Sequence, residues 1–261
     1  MWLGGYFVTR TSARILSLVL LALPLFAAGC MDAVNAFPAA ENANEAALVM
    51  RRSVQGPVIV VFTPYPLRSD APPDGVHAAV MKTSAGLNCS VAAFHWPERA
   101  MAERWIDEQI ALRRSHGLRT RMIIAGHSLA AASASDLARE VAERRPDAVV
   151  TLLLTVDAVR SGRISSAAGT AGAVIGGKLQ GVKISLVAYD AAPPVDGRRL
   201  LRHINYYQQK TPLYHGAEMS GAENHLLSDS TGLLNHANVD DFAFSLMVGD
   251  LRAALGRGGV R

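Results

Sequence analysis

Continuous apolar runs, separated by helical segments, constrain the fold of this chain more than any other feature. Four runs are rich in β-branched and aliphatic residues, at 56–64, 89–96, 121–126 and 147–159, and a fifth lies at 182–190. Such runs are typical of strands that are buried on both faces of a sheet.

The stretches between these runs have helical periodicity. They lie at 72–88, 97–116 and 129–145, and an amphipathic segment follows at 239–255. Strands that alternate with helices predict βαβ units and a parallel sheet with both faces covered. The chain has 261 residues and is 50% hydrophobic, which suits one large domain. We therefore predict an α/β fold, with a mostly parallel central sheet and helices on both faces.

The N-terminal residues have the composition of a targeting segment. Arg10 and Arg14 precede an apolar run of about 15 residues that ends in "FAAGC". This pattern resembles a bacterial lipoprotein signal, which implies removal of residues 1–29 and lipidation of Cys30. We expect 30–50 to be a tether, 51–261 to be the folded domain, and the protein to lie in the cell envelope. An uncleaved anchor and an unlipidated secretory signal are the alternatives.

Charge and cysteine content argue against two classes of partner. The formal charge is +4, half of it from the N-terminal arginines, and no basic cluster is interleaved with aromatic residues. We therefore expect no nucleic-acid partner. No Cys/His spacing is typical of a zinc site, so we predict no metal. Cys89 is expected to be a buried thiol, and a disulfide with Cys30 is the alternative.

A strand-to-helix corner at Ser128 is the strongest chemical signal. The run "RMIIAG" ends at Gly126, and alanines and serines follow Ser128. A serine nucleophile on such a corner needs small residues two positions before and after it, here Gly126 and Ala130. The N–H of Leu129, at the start of the helix, would then face a developing oxyanion. The alternative is that Ser128 only caps the helix.

From about residue 55 onward the chain resembles the α/β-hydrolase superfamily, in particular lipases and esterases with a GHSLG-type nucleophile elbow. The resemblance implies the chain order nucleophile, acid, histidine. It places the base just before the final helix, which favours His236 and leaves His225 as the alternative. Asp157 and Asp190 both end apolar runs, and either could be the acid. We favour Asp157, because a carboxylate there is costly to bury without a partner.

Other residues near these positions have simpler explanations or weaker signals. Asp240 and Asp241 are expected to be first-turn acids of the last helix. The second oxyanion donor should follow the first buried strand, in "FTPYP", where Pro64 has no N–H and Thr63 or Tyr65 must donate.

Residues 161–181 are rich in Gly, Ala and Ser and form either a lid or a closely packed helix.

These features predict a serine hydrolase without a cofactor, acting on a small carboxylic ester or thioester through an acyl-enzyme. A lipid on Cys30 would hold it at a membrane surface. The alternative is an inactive envelope lipoprotein of hydrolase-like fold that binds an acyl or peptide ligand. The unusual "FTPYP" loop favours this alternative.

Overall fold

The computed structural model describes residues 47–51, 53–64, 74–163, 177–179, 182–189, 193, 196–210 and 215–256. Several predicted features lie outside these residues: the signal segment, Cys30, tether residues 31–46, Tyr65, Asp190, and positions 164–176, 180 and 181 of the predicted lid or packed helix. Within the described part of the chain, none of the helices is both long enough and apolar enough to cross a membrane.

The described chain forms a central seven-stranded sheet, a separate three-stranded sheet and helices on both sides of the central one. The strands are β1 (Ala47–Arg51), β2 (Val58–Thr63), β3 (Ser90–His95), β4 (Thr120–His127), β5 (Ala148–Val156), β6 (Val159–Arg163), β7 (Gly177–Leu179), β8 (Val182–Ala188), β9 (His203–Tyr207) and β10 (Glu223–Leu226). The helices are α1 (Gly75–Ser84), α2 (Arg99–Ser115), α3 (Leu129–Arg144) and α4 (Val239–Gly256).

The central sheet has the order β1-β3-β2-β4-β5-β9-β10. Strands β3, β2, β4, β5, β9 and β10 are all parallel, and only β1 is antiparallel to its neighbour. Helices α1 and α4 pack on one face of the sheet, and α2 and α3 pack on the other. The predicted fold class is therefore confirmed.

Alternation along each strand sends successive side chains to opposite faces. In β2, Ile59 and Val61 join the cluster under α1 and α4, whereas Val60 and Phe62 join the cluster under α2 and α3. Both clusters are buried, which accounts for the continuous apolar character of this strand in the sequence.

One strand lies elsewhere than expected. Strand β8 forms at 182–188, but it pairs antiparallel with β6 and β7 rather than extending the central sheet. The edge of β5 is taken by the later segment 202–206, since Leu153 N–H donates to Arg202 and Asp157 N–H donates to Tyr206. Strand β9 has polar members and was not predicted, although all five of its residues are buried.

The N-terminal boundary of the sheet also differs from the simplest expectation. Ala47–Arg51, whose first four residues belong to the predicted tether, form β1 and pair with β3. The other predicted boundaries of the signal segment and tether remain predictions.

Candidate active site

Ser128 lies in the turn between β4 and α3 and has φ 60° and ψ −128°, a conformation that non-glycine residues rarely adopt. A Cβ atom on Gly126 would lie 2.5 Å from the carbonyl oxygen of Ala130, so strand and helix approach too closely for any side chain at 126. The N–H of Ser128 donates to the carbonyl of Val156 on β5 at 2.9 Å. The turn is thereby fixed to the sheet with Ser128 at the carboxyl end of β4.

The alanines of α3 have two different neighbours. Ala130, Ala134 and Ala138 pack against the sheet. Ala131 and Ala132 belong to a separate, smaller cluster with Ala158, Tyr189 and Met219. Small side chains therefore let α3 lie close both to the sheet and to the segments that follow β5 and β8.

Three side chains form one hydrogen-bonded series at this edge of the sheet. The Oγ of Ser128 lies 2.8 Å from Nε2 of His236, and Nδ1 of His236 lies 2.7 Å from Oδ2 of Asp157. The second distance is within the range expected for a histidine and its orienting acid. Because an ionised carboxylate only accepts, the His236 proton belongs on Nδ1, and Nε2 is left to accept from the serine hydroxyl.

The loop before α4 is held by the carboxylate of Asp229. Asp229 accepts backbone N–H groups from Gly232 at 2.7 Å and from Leu234 at 2.5 Å, and it pairs with Lys210. The hydrogen bond from Lys210, aided by those N–H groups, lowers the pKa of Asp229 to about 2. The loop that carries His236 is therefore anchored two residues before the imidazole.

Asp157 is completely buried and, like Ser128, is a non-glycine residue with positive φ, here 44°. Its Oδ1 accepts N–H groups from Gln208 at 3.2 Å and from Gly216 at 2.5 Å, and its Oδ2 accepts the Gln208 side-chain amide at 3.0 Å. Burial raises the pKa of Asp157, but the hydrogen bond and charge of His236 and the bonds from Gln208 outweigh it, and the net shift is downward. The carboxylate is therefore kept ionised beside the imidazole.

The alternative base is elsewhere in the structure. His225 lies on β10, an exposed strand at the edge of the sheet, and its ring stacks on Tyr206 with centroids 5.1 Å apart. The alternative acid, Asp190, is outside the described residues, so the structure places only Asp157 against His236.

The two predicted oxyanion donors lie at the ends of adjacent strands. Leu129 is the first residue of α3, where the first four N–H groups have no acceptor within the helix. Thr63 is the buried last residue of β2, its carbonyl accepts the N–H of Trp96 at 3.0 Å, and its Oγ1 donates to Phe94 at 3.4 Å. Their role as donors remains a prediction.

Four residues of this site were not found from the sequence: Gln208 and Gly216, which hold Asp157, and His127 and Asp240, which lie behind His236. A Cβ atom on Gly216 would lie 2.5 Å from Oδ1 of Asp157, so this position also requires glycine. Neither glutamine nor glycine carries a local signal of such a role. Asp240 was interpreted as a first-turn acid, which correctly gives its position in α4 but not its side-chain partners.

The hydrogen-bonded series of Ser128, His236 and Asp157 can transfer a proton from the hydroxyl to the imidazole without any further group. An imidazole that faces a hydroxyl at one nitrogen and a carboxylate at the other can remove the hydroxyl proton and retain it as a cation. Among the residues described, no group of three or more His, Cys, Asp or Glu side chains is arranged to hold a metal ion.

No protein-family model matches this chain, and curated protein sequences give no significant match. Among solved structures, Est1E from Butyrivibrio proteoclasticus matches with a TM-score of 0.39 and 10% sequence identity, covering 82% of this chain and 98% of that chain. The fold class stated above rests on the strand order and pairing of this chain itself.

Proposed function

We propose that this protein is a serine hydrolase of the α/β-hydrolase superfamily that cleaves a carboxylic ester or thioester. The observation that carries the proposal is the hydrogen-bonded series from Ser128 through His236 to Asp157. Its support is the setting of the serine, on a strained corner at the carboxyl end of a parallel strand, where active sites of such sheets lie.

In the acylation step, Ser128 Oγ attacks the carbonyl carbon as its proton passes to Nε2 of His236. Asp157 holds the imidazole by Nδ1 and stabilises its positive charge. Collapse of the tetrahedral intermediate breaks the bond to the leaving alkoxide or thiolate, which takes the proton from Nε2. The acyl group is then an ester on Ser128.

In the deacylation step, water replaces the leaving group. His236 removes a proton from the water, the hydroxide adds to the acyl carbon, and the bond to Ser128 Oγ breaks. The proton on Nε2 returns to Oγ, and a carboxylic acid is released. No cofactor enters either step.

The tetrahedral oxyanion requires backbone donors in both steps. We assign the N–H of Leu129 to this role, because it adjoins the nucleophile at the positive end of α3. A second donor is also required, and the residue predicted for it from the sequence is Thr63, at the end of β2.

Reaction with a fluorophosphonate probe tests the nucleophile. The unaltered protein should be labelled covalently at Ser128, and Ser128→Ala should remove the label while the circular dichroism spectrum is unchanged. Ser133→Ala is the matched control, because Ser133 lies on α3 but its Oγ donates to the carbonyl of Trp96. Full labelling of Ser128→Ala would remove Ser128 from the mechanism.

The same experiment separates the hydrolase from the alternative, a binding protein without turnover. A folded protein that neither labels nor cleaves nitrophenyl esters and thioesters of two to sixteen carbons would favour ligand binding alone. Cleavage that varies with chain length would instead define the acyl group that the site accepts.

The envelope location is a separate part of the proposal, supported by the sequence around Cys30. We propose that the chain is cleaved before Cys30 and acylated there, so that the lipid holds the domain at a membrane surface. The intact mass of membrane-extracted protein should match an acylated chain that starts at Cys30. A mass that still includes residues 1–29 would contradict cleavage at this point.

A further inference from the structure

His127 immediately precedes the nucleophile and points to the other face of the sheet. Gly126 meets α3, so alternation along β4 directs His127 toward α1 and α4. The side chain is buried, with 4% exposure. The mechanism proposed above gives this imidazole no role.

The imidazole of His127 contacts both ends of a short segment. Its Nε2 lies 3.1 Å from the backbone carbonyl oxygen of His236, and its Nδ1 lies 3.5 Å from Oδ2 of Asp240. A carbonyl oxygen only accepts, so Nε2 carries the proton and donates. The ring therefore donates to the backbone of the base, while its Nδ1 lies beside the first turn of α4 and has no hydrogen-bond partner among the described residues. Helix α4 begins three residues after His236.

Asp240 is itself fixed from the far side. Its Oδ2 accepts the N–H of Gly75 at 2.7 Å, and a Cβ atom on Gly75 would lie 2.8 Å from the carbonyl carbon of Asp240. The starts of α1 and α4 are thus in direct contact. A carboxylate buried this deeply is costly unless such partners hold it.

We infer that His127 is a positioning residue: its hydrogen bond fixes the backbone of His236 to the strand that carries Ser128. This inference rests on the proposed function, because it assigns His127 a part in the same reaction. The rings of His127 and His236 have centroids 5.4 Å apart, so displacement of one ring displaces the other. The distance that His127 maintains is the 2.8 Å between Ser128 Oγ and His236 Nε2.

Three variants of His127 test the inference. His127→Leu removes the hydrogen bond to His236 at similar volume. His127→Gln retains a donor near the Nε2 position, whereas His127→Asn places its amide near Nδ1 instead. We expect His127→Leu to lower kcat by roughly 10- to 100-fold with KM unchanged, since a displacement of about 1 Å can cost up to about 100-fold. His127→Gln should recover most of this loss, and His127→Asn should recover less.

A buried histidine of merely structural importance would behave differently. His77→Leu is the matched control, since it removes another buried imidazole on the same face of the sheet, whose ring nitrogens have no hydrogen-bond partner among the described residues. It should leave kcat unchanged. In a His236→Ala background, His127→Leu should cause no further loss of the residual activity, because the group that it positions is gone.

Hydrogen exchange of the backbone at 233–241 gives a readout independent of turnover. His127→Leu should speed exchange in this segment, and His127→Gln should not. Equal activity and exchange in the Leu and Gln variants would overturn the inference, as would a loss that only follows the folded fraction. If the unaltered protein is not labelled at Ser128, the proposed function fails, and exchange still decides whether His127 holds the segment.

Discussion

Ser128 and Asp157 occupy equivalent corners of neighbouring strands, yet the chain builds the two corners in different ways. Each follows the last residue of its strand, β4 or β5, and each is a non-glycine residue with positive φ. At Ser128 the close approach of strand and helix is permitted by adjacent residues, chiefly Gly126 and the first turn of α3.

At Asp157 the requirements are met by residues far along the chain. Its carboxylate is bonded by Gln208, Gly216 and His236, which lie 51, 59 and 79 positions later. The corner at Ser128 is therefore a property of a short segment, whereas the corner at Asp157 exists only in the assembled sheet. Changes at the two corners should accordingly differ in what they damage.

The largest effect is expected for His236, the side chain that joins the two corners. His236→Ala should lower kcat by about 10⁶-fold, since removal of the base costs nearly as much as loss of the whole triad. Steady-state ester hydrolysis measures the loss. His225→Ala is the control, because this histidine is exposed on β10, and it should stay close to the unaltered protein. The reverse order would move the base to His225.

A smaller loss is expected at the acid. Asp157→Asn keeps the shape but favours the wrong tautomer of His236, and kcat should fall by up to about 10⁴-fold, as in serine proteases. The residual rate should rise with pH over the range in which hydroxide can assist. A variant with unchanged kcat would mean that another carboxylate, such as Asp190, orients the base.

Substitution of the two close-packed glycines, Gly126 and Gly216, compares the two corners directly. Gly126→Ala should lower the free energy of unfolding by about 1–3 kcal/mol, because the new methyl group meets the backbone of α3. It should also slow fluorophosphonate labelling by displacing Ser128. Gly216→Ala should slow turnover by pushing on Asp157, with a smaller effect on labelling, since the serine turn is untouched.

Gly249→Ala is the control for both glycines. A Cβ atom at this position in α4 would meet nothing within 4 Å, so the variant should be about 0.5–1 kcal/mol more stable. Urea unfolding measures all three variants. If Gly126→Ala behaved like Gly249→Ala, the close approach of β4 and α3 would not constrain the nucleophile.

The smallest effect is expected at Gln208, whose side-chain amide donates to Asp157. Gln208→Leu removes one of the hydrogen bonds to the Asp157 carboxylate and should lower kcat by about tenfold. The folded-state pKa of Asp157 lies below its ordinary value of 3.8, so its contribution to stability is complete above that pH and is lost as pH falls through the folded value.

In the Gln208→Leu variant this pKa should rise toward the ordinary value, and the variant should lose less of its remaining stability on acidification below pH 3.8. Urea unfolding at a series of acidic pH values measures the difference. Identical pH dependence in the two proteins would show that the amide of Gln208 does not stabilise the carboxylate.

The contrast between the corners also explains what could be predicted from the sequence. The α/β class and the turn at Ser128 depend on periodicity and on adjacent residues, and both are visible in the sequence. Strand β9 was missed because its burial depends on partners from other strands: the amide of Asn205 donates to Asn224 on β10, and His203 faces Thr155 on β5. Polar residues of this kind do not indicate a buried strand until their partners are known.

The same reason accounts for the unpredicted part of the site. Nothing near Gln208 or Gly216 in the sequence indicates a contact with Asp157, and nothing near Asp240 indicates His127. The resemblance supplied the order of nucleophile, acid and base, but only the fold brings the supporting residues to them.

The long separation between His236 and its two partners also sets the time at which the site is completed during synthesis. Ser128 is made 108 residues before His236, and Asp157 is made 79 residues before it. At about 5–20 residues per second, a nascent chain carries the serine corner for roughly 5–20 s before the base is added. In the proposed mechanism the serine hydroxyl has no base during that interval, so the growing chain cannot cleave an ester through this series until His236 has been added.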